Sequence, residues 1–185
     1  MNNNVYIIAE VGPNHNGDIG LALEMVEKIA ATGVDAVKFQ MTDPYMLYSD
    51  DSFKASYQKK NDSAKGAREM SLRYQLKRDE HLLLYNKCKE LNVDYICTAF
   101  DMESLLFLDK HFEMPYYKIA SGEIFSMDMV DYISEQDKPI ILSTGMATYD
   151  EVKMAVDLLN RNFKKDITIL HCISNYPARF EEVNL

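Results

Sequence analysis

Cysteine is scarce in this chain and forms no recognisable pattern. Cys88, Cys97 and Cys172 are odd in number, lie in apolar or helical contexts and include no C-x-x-C spacing. A disulfide framework and a zinc knuckle are therefore not expected, and a reducing compartment is the default. Long apolar runs are missing too: no stretch approaches the roughly 18 residues of a helical membrane span. The opening MNNNVYIIAE has no basic segment, and its apolar run is too short for a signal peptide. These absences predict a cytoplasmic, soluble protein without a membrane partner. Positive charge is in deficit, 20 Lys and Arg against 29 Asp and Glu, for a net charge of −9. That balance argues against nucleic acid as a partner, while a local basic pocket for a small anion stays compatible with it. The first strand–helix turn also lacks G-x-G-x-x-G and Walker A patterns, which weakens a nucleotide-binding reading.

What the 185 residues do contain is a repeated unit. Hydrophobic residues make up 47% of the chain, enough for one domain with a substantial core. Short apolar runs occur at 5–11 (VYIIAEV), 35–40 (DAVKFQ), 94–100 (DYICTAF), 116–123 (YYKIASGE), 139–145 (PIILSTG) and 167–173 (ITILHCI). Their near-unbroken apolar character predicts strands buried on both faces, as in a parallel sheet. Helix-period segments lie between them. In 19–32 an apolar stripe runs through Ala22, Met25, Val26, Ile29 and Ala30 and stops at Gly33; in 76–91 one runs through Leu84, Cys88 and Leu91. Asp101 and Ser126 are candidate N-caps, and Thr148 with Glu151 forms a capping box. Strand–helix alternation implies right-handed βαβ units, in a doubly wound sheet or a (β/α)8 barrel. Polar residues at nearly every strand end favour the barrel, with about six of its eight βα units in this chain.

Residues 41–75 break the rhythm. This polar, Tyr-rich connection after the second strand is long for a βα loop and reads as an active-site lid or a disordered insertion.

The strand ends bring together Glu10, Asn14 and His15; Lys38 and Gln40; Thr98 and Asp101; Lys118, Ser121 and Glu123; Ser143 and Thr144; and His171, Ser174, Asn175 and Tyr176. Lysines on inner strands are the sharpest anomaly, because lysine is rarely buried without a partner. Lys38 and Lys118, with Ser121 and Ser143, suit a small polyanion such as a phosphate or carboxylate. The structural alternative pairs each lysine with Glu10 or Glu123. A desolvated Lys118 also suits a Schiff-base nucleophile of the class I aldolase kind. A non-catalytic half-barrel that binds anions is a further alternative. His15 in NHNG reads as a turn residue, a general acid/base or a metal ligand. His171 reads as a strand residue of the core or the site, and His81 and His111 as surface groups on helices. The methionines fall mostly at helical spacings and read as core.

AEVGPNHNGD, DAVKFQ, YYKIASGE, PIILSTGMAT and LHCISNYPA follow one another on successive strands. Together they resemble the N-terminal domain of the sialic acid synthase family, over residues 5–178. The resemblance implies a (β/α)8 barrel followed by a small antifreeze-like domain. The reaction it implies condenses phosphoenolpyruvate with an N-acetylmannosamine-type amino sugar, assisted by a divalent metal (Mn2+ or Mg2+), and releases phosphate. It implies a homodimer in the full-length form. Carried onto matching positions, Lys38, Lys118, Thr98, Ser121 and Ser143 hold the phosphate and carboxylate of phosphoenolpyruvate. Glu10 stands by the reacting carbons, Gln40 and Tyr176 face the amino sugar, and Glu123 belongs to the substrate site. The family's asparagine position on the sixth strand falls on Ser174, with Asn175 beside it. The SGE after the fourth strand leans toward sialic or legionaminic acid synthases. The family's metal-binding histidines lie on later strands, so no metal ligand is expected here. Residues 1–185 are expected to be the N-terminal portion of the barrel, lacking the last βα units and the C-terminal domain. The expected consequences are little activity for the chain alone and an exposed edge and apolar face on the sixth strand.

Overall fold

A computed structural model describes residues 5–49, 52–54, 59, 63–162 and 164–184. The chain has the expected α/β fold with parallel sheets. Six strands, β1 (Ile8–Glu10), β2 (Ala36–Met41), β3 (Asp94–Ala99), β4 (Tyr117–Ile119), β5 (Ile140–Ser143) and β6 (Ile167–Leu170), form two sheets of order β1-β2-β3 and β4-β5-β6. All four pairings are parallel. The chain divides into two compact units, Met1–Pro115 and Tyr116–Leu185, each holding one sheet.

In the first unit α1 (Ile19–Ala30) begins where the Asp18 carboxylate accepts from Leu21 N, and Gly33 takes the left-handed φ of +82° just past its end. The connection after β2 contains α2 (Pro44–Leu47) and α3 (Ala67–Tyr74). Arg68 Nε donates to Tyr48 O, and its guanidinium lies over the Tyr45 ring, which ties α3 to α2. Residues 50–51, 55–58 and 60–62 of the expected 41–75 loop lie outside the described residues. Next come α4 (Arg78–Glu90), whose Glu80 carboxylate accepts from Lys77 N, and α5 (Met102–His111), capped by Asp101. The helix-facing side of this sheet packs Phe39, Tyr95, Tyr85 and Phe112 ring to ring, with Phe39 and Tyr95 stacked at 5.7 Å.

In the second unit, β4 leads through a 3-10 turn (Ser121–Glu123) into α6 (Met127–Ser134). After β5 comes α7 (Tyr149–Leu159), which opens with the expected Thr148–Glu151 capping box and buries Ala155 and Leu159. Lys165 Nζ donates to Ser134 O at the C-terminus of α6, where a cation satisfies an orphan carbonyl. A 3-10 turn (Phe180–Glu182) follows β6. No helix among the described residues is long and apolar enough to cross a membrane.

Three expectations need correction, and two others hold. His81 is not a surface group: it is fully buried, because it shares the α4 stripe of Leu84 and Cys88. Ser126 is the N-cap residue of α6, as expected; its hydroxyl donates to the buried Glu123 carboxylate and accepts from no helix N–H. β1 is not buried on both faces: it is an edge of its sheet and leaves Glu10 exposed. β6 shows the exposed edge and apolar face expected of it, with Ile169 and Leu170 50% and 38% exposed. His171 falls just beyond β6 and is exposed rather than lying inside a strand.

His81 makes a pH prediction. Its Nδ1 bonds the Tyr95 hydroxyl at 2.7 Å, its Nε2 has no partner among the described residues, and burial pushes its pKa down from 6.5 to about 4. The folded state thus prefers the neutral ring. Above pH 6.5 this preference costs nothing; as pH falls toward 4 the unfolded chain takes up a proton that the folded chain refuses, and stability is lost. Urea unfolding is expected to show a loss of about 1 kcal/mol from this residue between pH 6.5 and 5.5. His81→Phe should remove that increment of pH dependence.

Candidate functional site

Strand register decides which side chains share a face. Glu10 pairs with Lys38, Lys38 with Ile96, and Gln40 with Thr98, so Glu10, Lys38, Gln40 and Thr98 all stand on the face opposite the aromatic layer. Lys38 is 8% exposed and its Nζ lies 2.6 Å from Glu10 Oε2; Gln40 Nε2 donates to Glu10 Oε1 at 3.1 Å. The Glu10 carboxylate is therefore fixed through both oxygens while its side chain remains 46% exposed. The ion-pair alternative considered for Lys38 is thus present, and its partner stays open to solvent. Gly12 closes this corner. It adopts φ +50°, and a Cβ there would lie 3.2 Å from Glu10 Oε1 and 3.4 Å from Gln40 Nε2.

Thr98 is 2% exposed and its hydroxyl has no hydrogen-bond partner among the described residues. A buried hydroxyl left this way costs roughly 1–3 kcal/mol, so it calls for an explanation. Asp101, three residues on, is bonded heavily: Oδ1 accepts from Ser104 N, and Oδ2 from Ser104 Oγ and Asp43 N.

The second unit presents a set of donors at the ends of β4 and β5. Lys118 is half-buried rather than buried, and its Nζ donates to Ser143 Oγ at 2.8 Å and Ile119 O at 2.7 Å. Gly145 N donates to Ser121 Oγ at 2.9 Å. A Cβ on Gly145 would meet Ser121 Oγ at 2.9 Å and Ser174 Oγ at 3.0 Å, so the two hydroxyls converge over this glycine. Ser174, not Asn175, is the residue that reaches the cluster; Asn175 Nδ2 donates to Glu182 instead. Thr144 Oγ1 turns away to Leu170 O. Glu123 is buried and receives the Ser126 hydroxyl. Tyr176 is 73% exposed.

Sequence reasoning missed the Gly145 N–H and the reach of Asp101 to Asp43. The glycine that closes STG at a strand end was the available signal for the first; nothing local signals the second. The buried thiols play no nucleophilic part, since burial pushes Cys88 and Cys97 up to about 12. His15 is buried in its turn, where Nδ1 accepts from Gly17 N and burial lowers its pKa. No three His, Cys, Asp or Glu side chains among the described residues come together as a metal site.

The NeuB family model matches residues 25–185. The chain is 41% identical to the N,N'-diacetyllegionaminic acid synthase of Campylobacter jejuni, covering 97% of this chain and 54% of that protein. It is 37% identical to the enzyme of that name from Legionella pneumophila, over 97% and 52%. Among solved structures, the sialic acid synthetase of Leptospira borgpetersenii in complex with citrate superposes with a TM-score of 0.85 at 30% identity, over 99% of this chain and 59% of that one. The chain thus spans about half the length of the curated relatives it matches.

Proposed function

The chain belongs to the NeuB family, and from that premise we propose that it forms part of a synthase condensing phosphoenolpyruvate with an N-acetylated amino sugar. The product is a nonulosonic acid of the sialic or legionaminic type, and phosphate is released. The observation that carries the reading is the donor cluster of the second unit: the Lys118 ammonium, the Ser121, Ser143 and Ser174 hydroxyls and the Gly145 N–H, all at strand ends. One cation with several neutral donors suits a phosphate dianion, whose charge has to be offset without a full complement of lysines.

The family resemblance assigns Lys38 and Thr98 of the first unit to phosphoenolpyruvate as well, and both are buried there, Lys38 as a cation and Thr98 as a hydroxyl donor. Glu10, held between Lys38 and Gln40, joins an anion-binding group to one that can face an amino sugar. Its fixed carboxylate orients the sugar or moves a proton as the carbons react. In this scheme carbon 3 of the enol attacks the open-chain aldehyde and positive charge develops at carbon 2. Water adds there, and the hemiketal phosphate collapses with C–O cleavage. Tyr176, like Gln40, belongs to the sugar side of this reading, and Glu123 to the substrate site. Lys118 Nζ donates to Ser143 Oγ and Ile119 O; the Schiff-base alternative would require its neutral amine to attack a carbonyl, and borohydride trapping with pyruvate tests it. The reading includes a divalent metal, for which the described residues gather no group of three His, Cys, Asp or Glu side chains. A homodimer rests on the family resemblance, and the 41–75 lid on the length of that connection and its position after β2.

The test is Glu10→Ala, assayed in a protein spanning the full length of its relatives. Phosphate release from phosphoenolpyruvate, dependent on N-acetylmannosamine and Mn2+, is expected to fall at least 1,000-fold, about 4 kcal/mol. Phosphoenolpyruvate binding should stay within about threefold. Near-normal turnover would return Glu10 to a structural ion pair.

A further inference from the structure

We propose that Asp101 is a positioning residue that sets the ends of β2 and β3, and with them Gln40 and Thr98; the substrate side of this inference rests on the proposed function. The β2–β3 ladder runs through Gln40–Thr98 and Met41–Ala99, and Phe100 N continues it to Met41 O at 3.1 Å. Beyond that point the backbones no longer pair. The Asp101 carboxylate takes over: Oδ2 accepts from Asp43 N at 2.7 Å, while Oδ1 caps α5 through Ser104 N at 2.7 Å. One side chain, 9% exposed, thereby joins the start of the connection after β2 to the start of α5.

Two facts make this more than a helix cap. A cap needs one acceptor, but Asp101 uses both oxygens, and the second reaches 58 residues away in sequence. The Thr98 hydroxyl has no partner of its own among the described residues, so the strand backbone alone aims it. Loosening the strand end therefore spreads that hydroxyl over several directions.

Asparagine separates the two roles. It caps a helix as well as aspartate does. Its amide nitrogen, in place of Oδ2, can donate to the Ser104 hydroxyl once that rotates, but it faces the Asp43 N–H donor to donor. Asp101→Asn thus keeps the cap and breaks the tie. Ser104→Ala is the control, since it loses only the hydroxyl bond.

The experiment combines amide hydrogen exchange with a phosphoenolpyruvate titration of the same variants. In Asp101→Asn, exchange at Asp43 and Phe100 is expected to quicken about tenfold or more while residues 105–111 keep their protection. The phosphoenolpyruvate Kd should rise about tenfold, and Ser104→Ala should stay near wild type. Unchanged exchange at Asp43 and Phe100 would overturn the inference. So would faster exchange with an unchanged Kd, which would leave Asp101 as a cap alone. If asparagine unsettles α5, Asp101→Ser, which caps but is too short to reach Asp43, takes its place under the same criteria. A wild-type chain that does not bind phosphoenolpyruvate would contradict the proposed function, and the positioning role would then be judged by exchange alone.

Discussion

Gly145→Ala is expected to weaken phosphoenolpyruvate binding about 100-fold while shifting the thermal midpoint by only a few degrees. The added Cβ would stand 2.9 Å from Ser121 Oγ, 3.3 Å from Ser121 Cβ and 3.0 Å from Ser174 Oγ, so both serines have to turn away. Their hydroxyls would then leave the place where they converge, and Gly145 N would lose its acceptor. Hydrogen bonds to charged groups are worth roughly 1.5–3 kcal/mol each, so losing two of modest strength gives about the stated factor. The fold is spared because Gly145 does not occupy the left-handed region, and the displaced atoms belong to short side chains near the surface. Ser121→Ala, which removes one donor without a clash, should weaken binding about tenfold. A Gly145→Ala chain that binds like wild type would dismiss the cluster as a phosphate site. Calorimetric titration reads both variants.

Thr98→Val should act with opposite signs on stability and binding. Valine matches threonine in shape, and the hydroxyl it removes is buried at 2% exposure without a partner among the described residues. The folded chain is therefore expected to gain about 1 kcal/mol in urea unfolding, as a desolvated polar group is replaced by a methyl. Phosphoenolpyruvate affinity should fall about 30-fold, because the same hydroxyl is the donor assigned to the ligand. A purely structural threonine predicts the reverse pairing, a loss of stability with unchanged binding. The two measurements together separate a hydroxyl kept for a ligand from one kept for packing.

How much of this was legible beforehand differs from residue to residue. Lys38 and Lys118 stood out because lysine in an apolar strand demands an anion, and the register then placed Lys38 beside Glu10 and Lys118 beside Ser143. The Thr148–Glu151 capping box and the Asp101 cap were equally plain, since capping is local in sequence. His81 was misjudged although its signal was present: it lies three and seven residues before Leu84 and Cys88, on the same buried stripe. The edge position of β1 could not be read, because an apolar run such as VYII does not reveal how many neighbours the strand has; Val5 and Ile7 are 80% and 51% exposed. The exposed face of β6 was expected, because six βα units do not close a barrel of eight. The Asp101–Asp43 tie joins positions far apart in the chain and leaves no mark in residue type, while the Gly145 amide belongs to the backbone and is signalled only by the glycine that closes STG. The net charge of −9 was a poor guide to the site, since the two strand-end clusters present lysines within an acidic chain.

The central claim is that these strand ends bind phosphoenolpyruvate. Its most direct test is a calorimetric titration of the wild-type chain with phosphoenolpyruvate, repeated in the presence of inorganic phosphate. One saturable site per chain is predicted, weakened by phosphate and lost in a chain carrying Gly145→Ala together with Thr98→Val. No saturable binding, or binding that survives both substitutions, would contradict the account.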